Sequence, residues 1–166
     1  MPQSFTEQRV VASLLDRLLD DEPRVAVETP SREGQVIREM RQSLQRDLMD
    51  LLNSRRPLQA LPPGYKQLPT SLVNYGLPDL QSLEIREDHN ILRLCRMIED
   101  CIRTFEPRLH EVSVSPIESR RRDRETSRRF EFAIEAVLVT EAIRESVQYL
   151  SHVDSTNGNI HVEGAA

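Results

Sequence analysis

Residues 130–138 read FEFAIEAVL, with Phe130, Phe132, Ile134, Ala136 and Leu138 at every second position. Successive side chains on a strand point to opposite faces, so this spacing predicts a strand of about ten residues with one buried face. Downstream, Val147, Tyr149 and Ser151 repeat the same period. Next comes VDSTNGNIHV (153–162), where Asn157-Gly158 is the strongest short-range hairpin signal in the chain. It predicts pairing of 146–153 with 159–163. Upstream, Val112 and Val114 alternate with polar residues and give a first strand. The C-terminal half therefore reads as an antiparallel meander.

Toward the N-terminus the period changes from two to that of a helix. In residues 88–106, Ile91, Leu94, Cys95, Ile98, Ile102 and Phe105 share one face, and Pro107 stops the helix because the residue before proline avoids the α region. Thr29-Pro30 supplies an N-cap and a first-turn proline for a helix running to about Asn53. Its stripe is Val36, Ile37, Met40, Leu44, Leu48, Leu51 and Leu52. Between these helices, residues 54–83 form a long connection with five prolines. Long connections of this kind are uncommon and often functional. This one keeps its own apolar residues and predicts a packed segment with a helical turn at 70–75.

Residues 4–21 read as a further short amphipathic helix, with Val10, Val11, Leu14, Leu15, Leu18 and Leu19 at helical spacing, and 22–30 as a linker. Such a short helix is marginal alone, so its stripe needs a cover, from the body of this protein or from a partner. The fold class is α+β: three helices followed by a small antiparallel β-meander, with the helices packed on one face of the sheet. Residues 1–29 form the N-terminal helix and linker, and 30–166 the α+β domain.

The chain has 166 residues with 22 Lys or Arg and 27 Asp or Glu, a net charge of −5. The only basic feature is ESRRRDRETSRR (118–129), with six arginines against three acids. It holds no aromatic residue to stack on bases, and reads as a solvated loop between strands rather than a nucleic-acid surface. No apolar run approaches the ~20 residues of a membrane span, and the N-terminus lacks the pattern of a secretory signal. Cys95 and Cys101 lie six residues apart and point to different helix faces, which argues against a disulfide and for a reducing, cytoplasmic setting. The four histidines lack metal-ligand spacing, and there is no phosphate loop or nucleophile motif. The residues thus imply no catalytic, metal or cofactor site. The acid in unusual company is Glu106, in Phe105-Glu106-Pro107-Arg108-Leu109. It reads equally as a local ion pair at a helix terminus and as a fixed polar pair presented to a partner.

Four features then occur in order: SLLDRLLDDEP (13–23), SLVNYGLPDL (71–80), IRTFEPRL (102–109), and FEFAIEAVL (130–138) with its closing hairpin DSTNGNIHV (154–162). Together they resemble the TssE family of type VI secretion baseplate subunits, itself similar to the small wedge protein of contractile-phage baseplates. The resemblance spans nearly the whole chain; the Arg-rich run 118–129 departs from it. It implies a structural subunit, not an enzyme, that joins TssF and TssG, contacts TssK, and works in the cytoplasm at a baseplate docked on the inner membrane. Likeness to the interlocking domain of the tail sheath implies a template to which strands of the sheath proteins TssB and TssC are added. The outer strands of the expected meander, 111–115 and 159–163, would be the open edges.

By the same resemblance, Glu106, Pro107 and Arg108 would contact the wedge core, and the helix bearing Leu14, Leu15 and Leu18 would be a docking segment. Arg108 is then exposed until docking, and Arg108→Glu leaves the fold intact. Two other classes compete. A peptidoglycan hydrolase fits the family's "lysozyme-like" label but needs two carboxylates flanking a cleft. The acid pairs Asp20-Asp21 and Glu99-Asp100 are instead adjacent residues on expected helix surfaces. An anti-adaptor regulator of proteolysis shares the fold.

Overall fold

The computed structural model describes residues 18, 33–57, 64–80, 88–117, 129–140, 144–154 and 156–164. Two helices, α1 (Glu33–Asn53) and α2 (Asp88–Phe105), precede four strands: β1 (Leu109–Pro116), β2 (Arg129–Val139), β3 (Arg144–Asp154) and β4 (Ile160–Gly164). The sheet is antiparallel throughout in the order β1-β2-β3-β4, so the fold is α+β with a simple meander. Of the expected helix at 4–21, only Leu18 is described, helical and exposed; the rest, the Thr29-Pro30 start and the Arg-rich run up to 128 lie outside the described residues.

The alternation in 130–138 does what its period dictates. Phe130, Phe132, Ile134, Ala136 and Leu138 are all buried, and register sets them opposite Val153, Ser151, Tyr149, Val147 and Glu145. Val147, Tyr149, Ser151 and Val153 are buried on the core face, and Glu145 lies half-buried at its rim, paired with Arg41 of α1. On β1, Leu109, Val112 and Val114 are buried, a spacing that a regular strand cannot give. A bulge between His110 and Ser113 inserts one residue, with Glu111 at φ +53, and this resets the phase so that all three face inward.

The helices cover the core face. Met40, Leu44, Leu48, Leu51 and Leu52 of α1 and Ile91, Leu94, Cys95, Ile98 and Ile102 of α2 join the strand residues in one cluster. Cys101, expected on another face from Cys95, is also buried. The proline-rich connection explains this: Leu77 and Leu80 enter the core and Tyr75 meets Phe105 edge-to-face at 5.2 Å. The helical turn expected at 70–75 appears as two 3₁₀ turns, Leu68–Thr70 and Leu72–Asn74.

Gly76 fixes this connection against the end of α1. Its φ is +92, and a Cβ there would lie 2.3 Å from the Ser54 carbonyl oxygen. Only glycine permits that approach. It lets the Leu77 N–H donate to Ser54 O and the Arg56 N–H to Leu77 O, both at 3.0 Å.

The closing hairpin differs in extent from expectation. Gly158 takes the left-handed conformation at φ +71, as the Asn-Gly signal requires, but β4 pairs only with residues 149–153 of β3. The Asp154 carboxylate accepts the Thr156 N–H, which holds its carboxyl below the usual range. The first half of β3, 144–148, has no strand beside it on that flank among the described residues.

Candidate functional site

Glu106-Pro107-Arg108-Leu109 turns the chain from α2 into β1. The Leu109 N–H donates to Glu106 O at 3.1 Å, closing a turn with Pro107 at its second position, where the ring pre-sets the required φ. The Glu106 side chain, 9% exposed, folds back over this turn. Arg108 Nε donates to Glu106 Oε1 at 2.7 Å and Nη2 to Oε2 at 2.6 Å, a bidentate pair. Nη2 also donates to Asp47 Oδ2 on α1 at 2.7 Å, and the Arg108 carbonyl accepts the Val139 N–H of β2 at 2.8 Å. One residue thus joins both helices and two strands. The hydrogen bond to Glu106, aided by Asp47 and opposed by burial, raises the Arg108 pKa above its already high value, so the guanidinium stays charged.

The structure corrects the expectation that Arg108 stands exposed until docking. Its side chain is 25% exposed and already holds two carboxylates of its own chain. A buried carboxylate such as Glu106 needs such a partner, so the local-ion-pair reading describes the geometry. The Nη1 group makes no hydrogen bond among the described residues. Nearby, Tyr149 is buried, which pushes its hydroxyl up to about 12. Asp47 was missed by sequence reasoning. The available signal is its place beside the stripe formed by Leu44, Leu48 and Leu51, where a charge needs a partner.

The arrangement offers little to catalysis. Both Glu106 oxygens are taken by Arg108, so this carboxylate is not presented to a substrate. Burial pushes the Cys95 and Cys101 thiols up to about 11, away from the thiolate form that attacks. No group of three or more metal-binding side chains occurs among the described residues. No described helix is long and apolar enough to cross a membrane.

What the structure does present is a sheet with dressed edges. On β1, the Val112 carbonyl accepts Arg103 Nη2 at 2.7 Å and the Val114 N–H donates to Glu99 Oε2 at 3.2 Å. Glu99 and Arg103 themselves pair along α2 at 2.8 Å, and Pro116 has no N–H to offer. On β4, Asn53 of α1 takes both polar groups of Ile160: its Oδ1 accepts the N–H at 2.9 Å and its Nδ2 donates to the carbonyl at 2.8 Å. Gln45 Nε2 donates to Val162 O at 2.7 Å. Both strands are the outer ones expected, and both carry helix side chains where a new strand would pair.

Two candidate surfaces follow. Leu18 is 81% exposed, while Leu14 and Leu15 lie outside the described residues. The connection holds Leu72 at 85% and Val73 at 53% exposure on its second 3₁₀ turn. Comparison with known proteins supplies the context. The sequence model described as baseplate wedge protein gp25 matches residues 38–143, well over half of the chain, from α1 through the end of β2. No curated protein matches the chain significantly.

Proposed function

The chain belongs to the baseplate wedge protein gp25 family, and from that premise we propose that it is the TssE-type wedge subunit of a type VI secretion baseplate. The family is a structural one, and its members work by assembling with other baseplate subunits. The finer proposal is that this subunit joins TssF and TssG, touches TssK, and templates the TssB–TssC sheath by strand addition in the cytoplasm. It acts without catalysis or cofactor.

The observation that carries this reading is the family match across α1, the Glu-Pro-Arg corner and β2. The corner supports it physically. Glu106, Pro107 and Arg108 form a rigid element whose Arg108 is locked by Glu106 and Asp47 yet keeps one quarter of its side chain and its Nη1 group for a partner acceptor. A locked arginine loses little rotamer freedom on docking, which favours a specific contact. The Leu14, Leu15 and Leu18 stripe is the second proposed contact, since an exposed Leu18 on a helix gains by being covered.

The test is affinity recovery of the tagged protein from host lysate, read by mass spectrometry. TssF and TssG among the recovered proteins are the expected result, with Leu15→Arg and Leu18→Arg reducing their yield while the melting temperature stays unchanged. Recovery of a proteolysis adaptor or of no secretion component refutes the assignment.

A further inference from the structure

The face of the sheet turned away from the helices carries a pair of histidines. His152 of β3 and His161 of β4 lie nine residues apart in sequence, and register sets them directly opposite each other. Their rings stack with 4.9 Å between centroids and 20° between planes. The strand neighbours Ser151, Val153, Ile160 and Val162 are buried on the core side, so alternation turns both imidazoles to the open side. His161 is exposed and His152 half-buried. Neither ring is hydrogen-bonded to a described residue, so the nitrogen lone pairs are uncommitted.

Two imidazoles on neighbouring strands make a bidentate donor set. Opposite residues of an antiparallel pair hold their Cβ atoms about 4.5–5.5 Å apart. An ion bound to one nitrogen of each ring at about 2.0–2.1 Å bridges that gap. The strand pairing fixes both backbones beforehand, so closing on an ion needs only rotation about side-chain bonds. The surroundings favour positive charge. Glu131 stands opposite His152 on β2, and Glu163 lies two residues beyond His161 on the same face, both exposed. Arg129 opposes them, with Asp154 across from it in register. Imidazole nitrogen suits zinc, copper and nickel, whereas magnesium and calcium take oxygen.

We propose that His152 and His161 form a bidentate site for a divalent ion of the zinc, copper or nickel kind, which staples β4 to β3 on the open face of the sheet. Water fills the remaining coordination positions, since the pair falls short of a three-residue group. The ion is structural and supplies no chemistry. β4 is a short outer strand of five residues, tied to α1 from the core side by Asn53 and Gln45. The ion ties it from the other side. Only the folded chain brings the two rings together, so free ion at about a hundred times its dissociation constant lowers the unfolding equilibrium constant about a hundredfold.

The test uses the full chain, stripped with a chelator, at pH 7.5. Titration calorimetry with Zn²⁺ gives one ion per chain, and Mg²⁺ gives no heat. His152→Gln and His161→Gln each weaken Zn²⁺ binding at least tenfold, while His110→Gln, on the exposed side of β1, leaves it unchanged. In the wild type, sub-stoichiometric Cu²⁺ broadens the amide resonances around 152 and 161 and spares those of α2. Zn²⁺ raises the urea midpoint of the wild type and not of the two histidine variants.

Zn²⁺ and Ni²⁺ binding absent from the wild type overturns the proposal. So does binding that either histidine variant retains in full, which places the ion on other ligands or on one ring alone. One ion per two chains, with a dimer in sedimentation, assigns the histidines to a bridge between copies and also overturns it, as does binding that leaves the wild-type midpoint unmoved.

Discussion

Arg108→Met removes three charge-assisted hydrogen bonds, two to Glu106 and one to Asp47, and leaves the hydrocarbon stem in place. Each such bond contributes about 1.5–3 kcal/mol, so simple addition would give a loss of about 4.5–9 kcal/mol. That sum is too large, because Asp47 is 30% exposed and water replaces its lost bond. The dominant cost is Glu106, 9% exposed, left as a covered carboxylate without its cation. Breaking a buried pair costs about 3–5 kcal/mol, and the exposure of Arg108 sets the expectation at the lower end, about 3 kcal/mol.

With a urea m-value of about 2 kcal/mol/M for a domain of this size, the midpoint falls by about 1.5 M. The assay is urea unfolding followed by far-UV circular dichroism, at unchanged m. Glu106→Gln costs about 2 kcal/mol, and Asp47→Asn, nearer to water, about 1 kcal/mol. The double variant Arg108→Met/Glu106→Gln shows a coupling of about 2 kcal/mol. Arg108→Glu, which sets a third carboxylate beside two, destabilises more than Arg108→Met. A midpoint shift below about 0.3 M for Arg108→Met would show that the corner contributes nothing to the fold and that Arg108 serves only a partner.

Gly76→Ala forces a Cβ to 2.3 Å from the Ser54 carbonyl at φ +92, and costs about 2–4 kcal/mol by thermal or urea unfolding, with the Leu77 and Arg56 amides losing exchange protection. Cys95 and Cys101, with thiols pushed up to about 11 by burial, react with an aromatic disulfide reagent at neutral pH at least a hundredfold slower in the native protein than in denaturant. His152 has its pKa lowered first by burial and then by His161, whose ring stacks on it at 4.9 Å. The neutral form is the one the fold favours, so this contribution is present above the unfolded value and is lost as pH falls through the lower folded value. The urea midpoint therefore drops between about pH 7 and pH 5, and His152→Gln flattens that slope.

Local pattern was legible and long-range pairing was not. FEFAIEAVL shows its buried face because period two is written into adjacent residues, and the α2 stripe shows because Ile91, Leu94, Ile98 and Ile102 repeat at helical spacing. The outer strands of the meander were also readable from hairpin order. The third member of the Arg108 cluster was not: Asp47 is 61 residues away, and no periodicity links them. The same holds for Asn53, whose amide meets Ile160 across 107 residues. The bulge at Glu111 escaped because a single inserted residue leaves Val112 and Val114 looking like an ordinary alternation. Glu106 was visible as an acid in odd company, but its burial depends on a helix that sequence alone does not place beside it. Gly76 sits in a stretch quoted for its likeness to a family, and only the approach to Ser54 gives that glycine its reason.

The side chains laid along β1 and β4 set the valence of this molecule. A sheet with two bare flanks is a bifunctional monomer, and at high local concentration such monomers grow into fibres. Here Glu99 and Arg103 close one flank while Asn53 and Gln45 close the other, so copies of this chain do not polymerise edge to edge through β1 and β4.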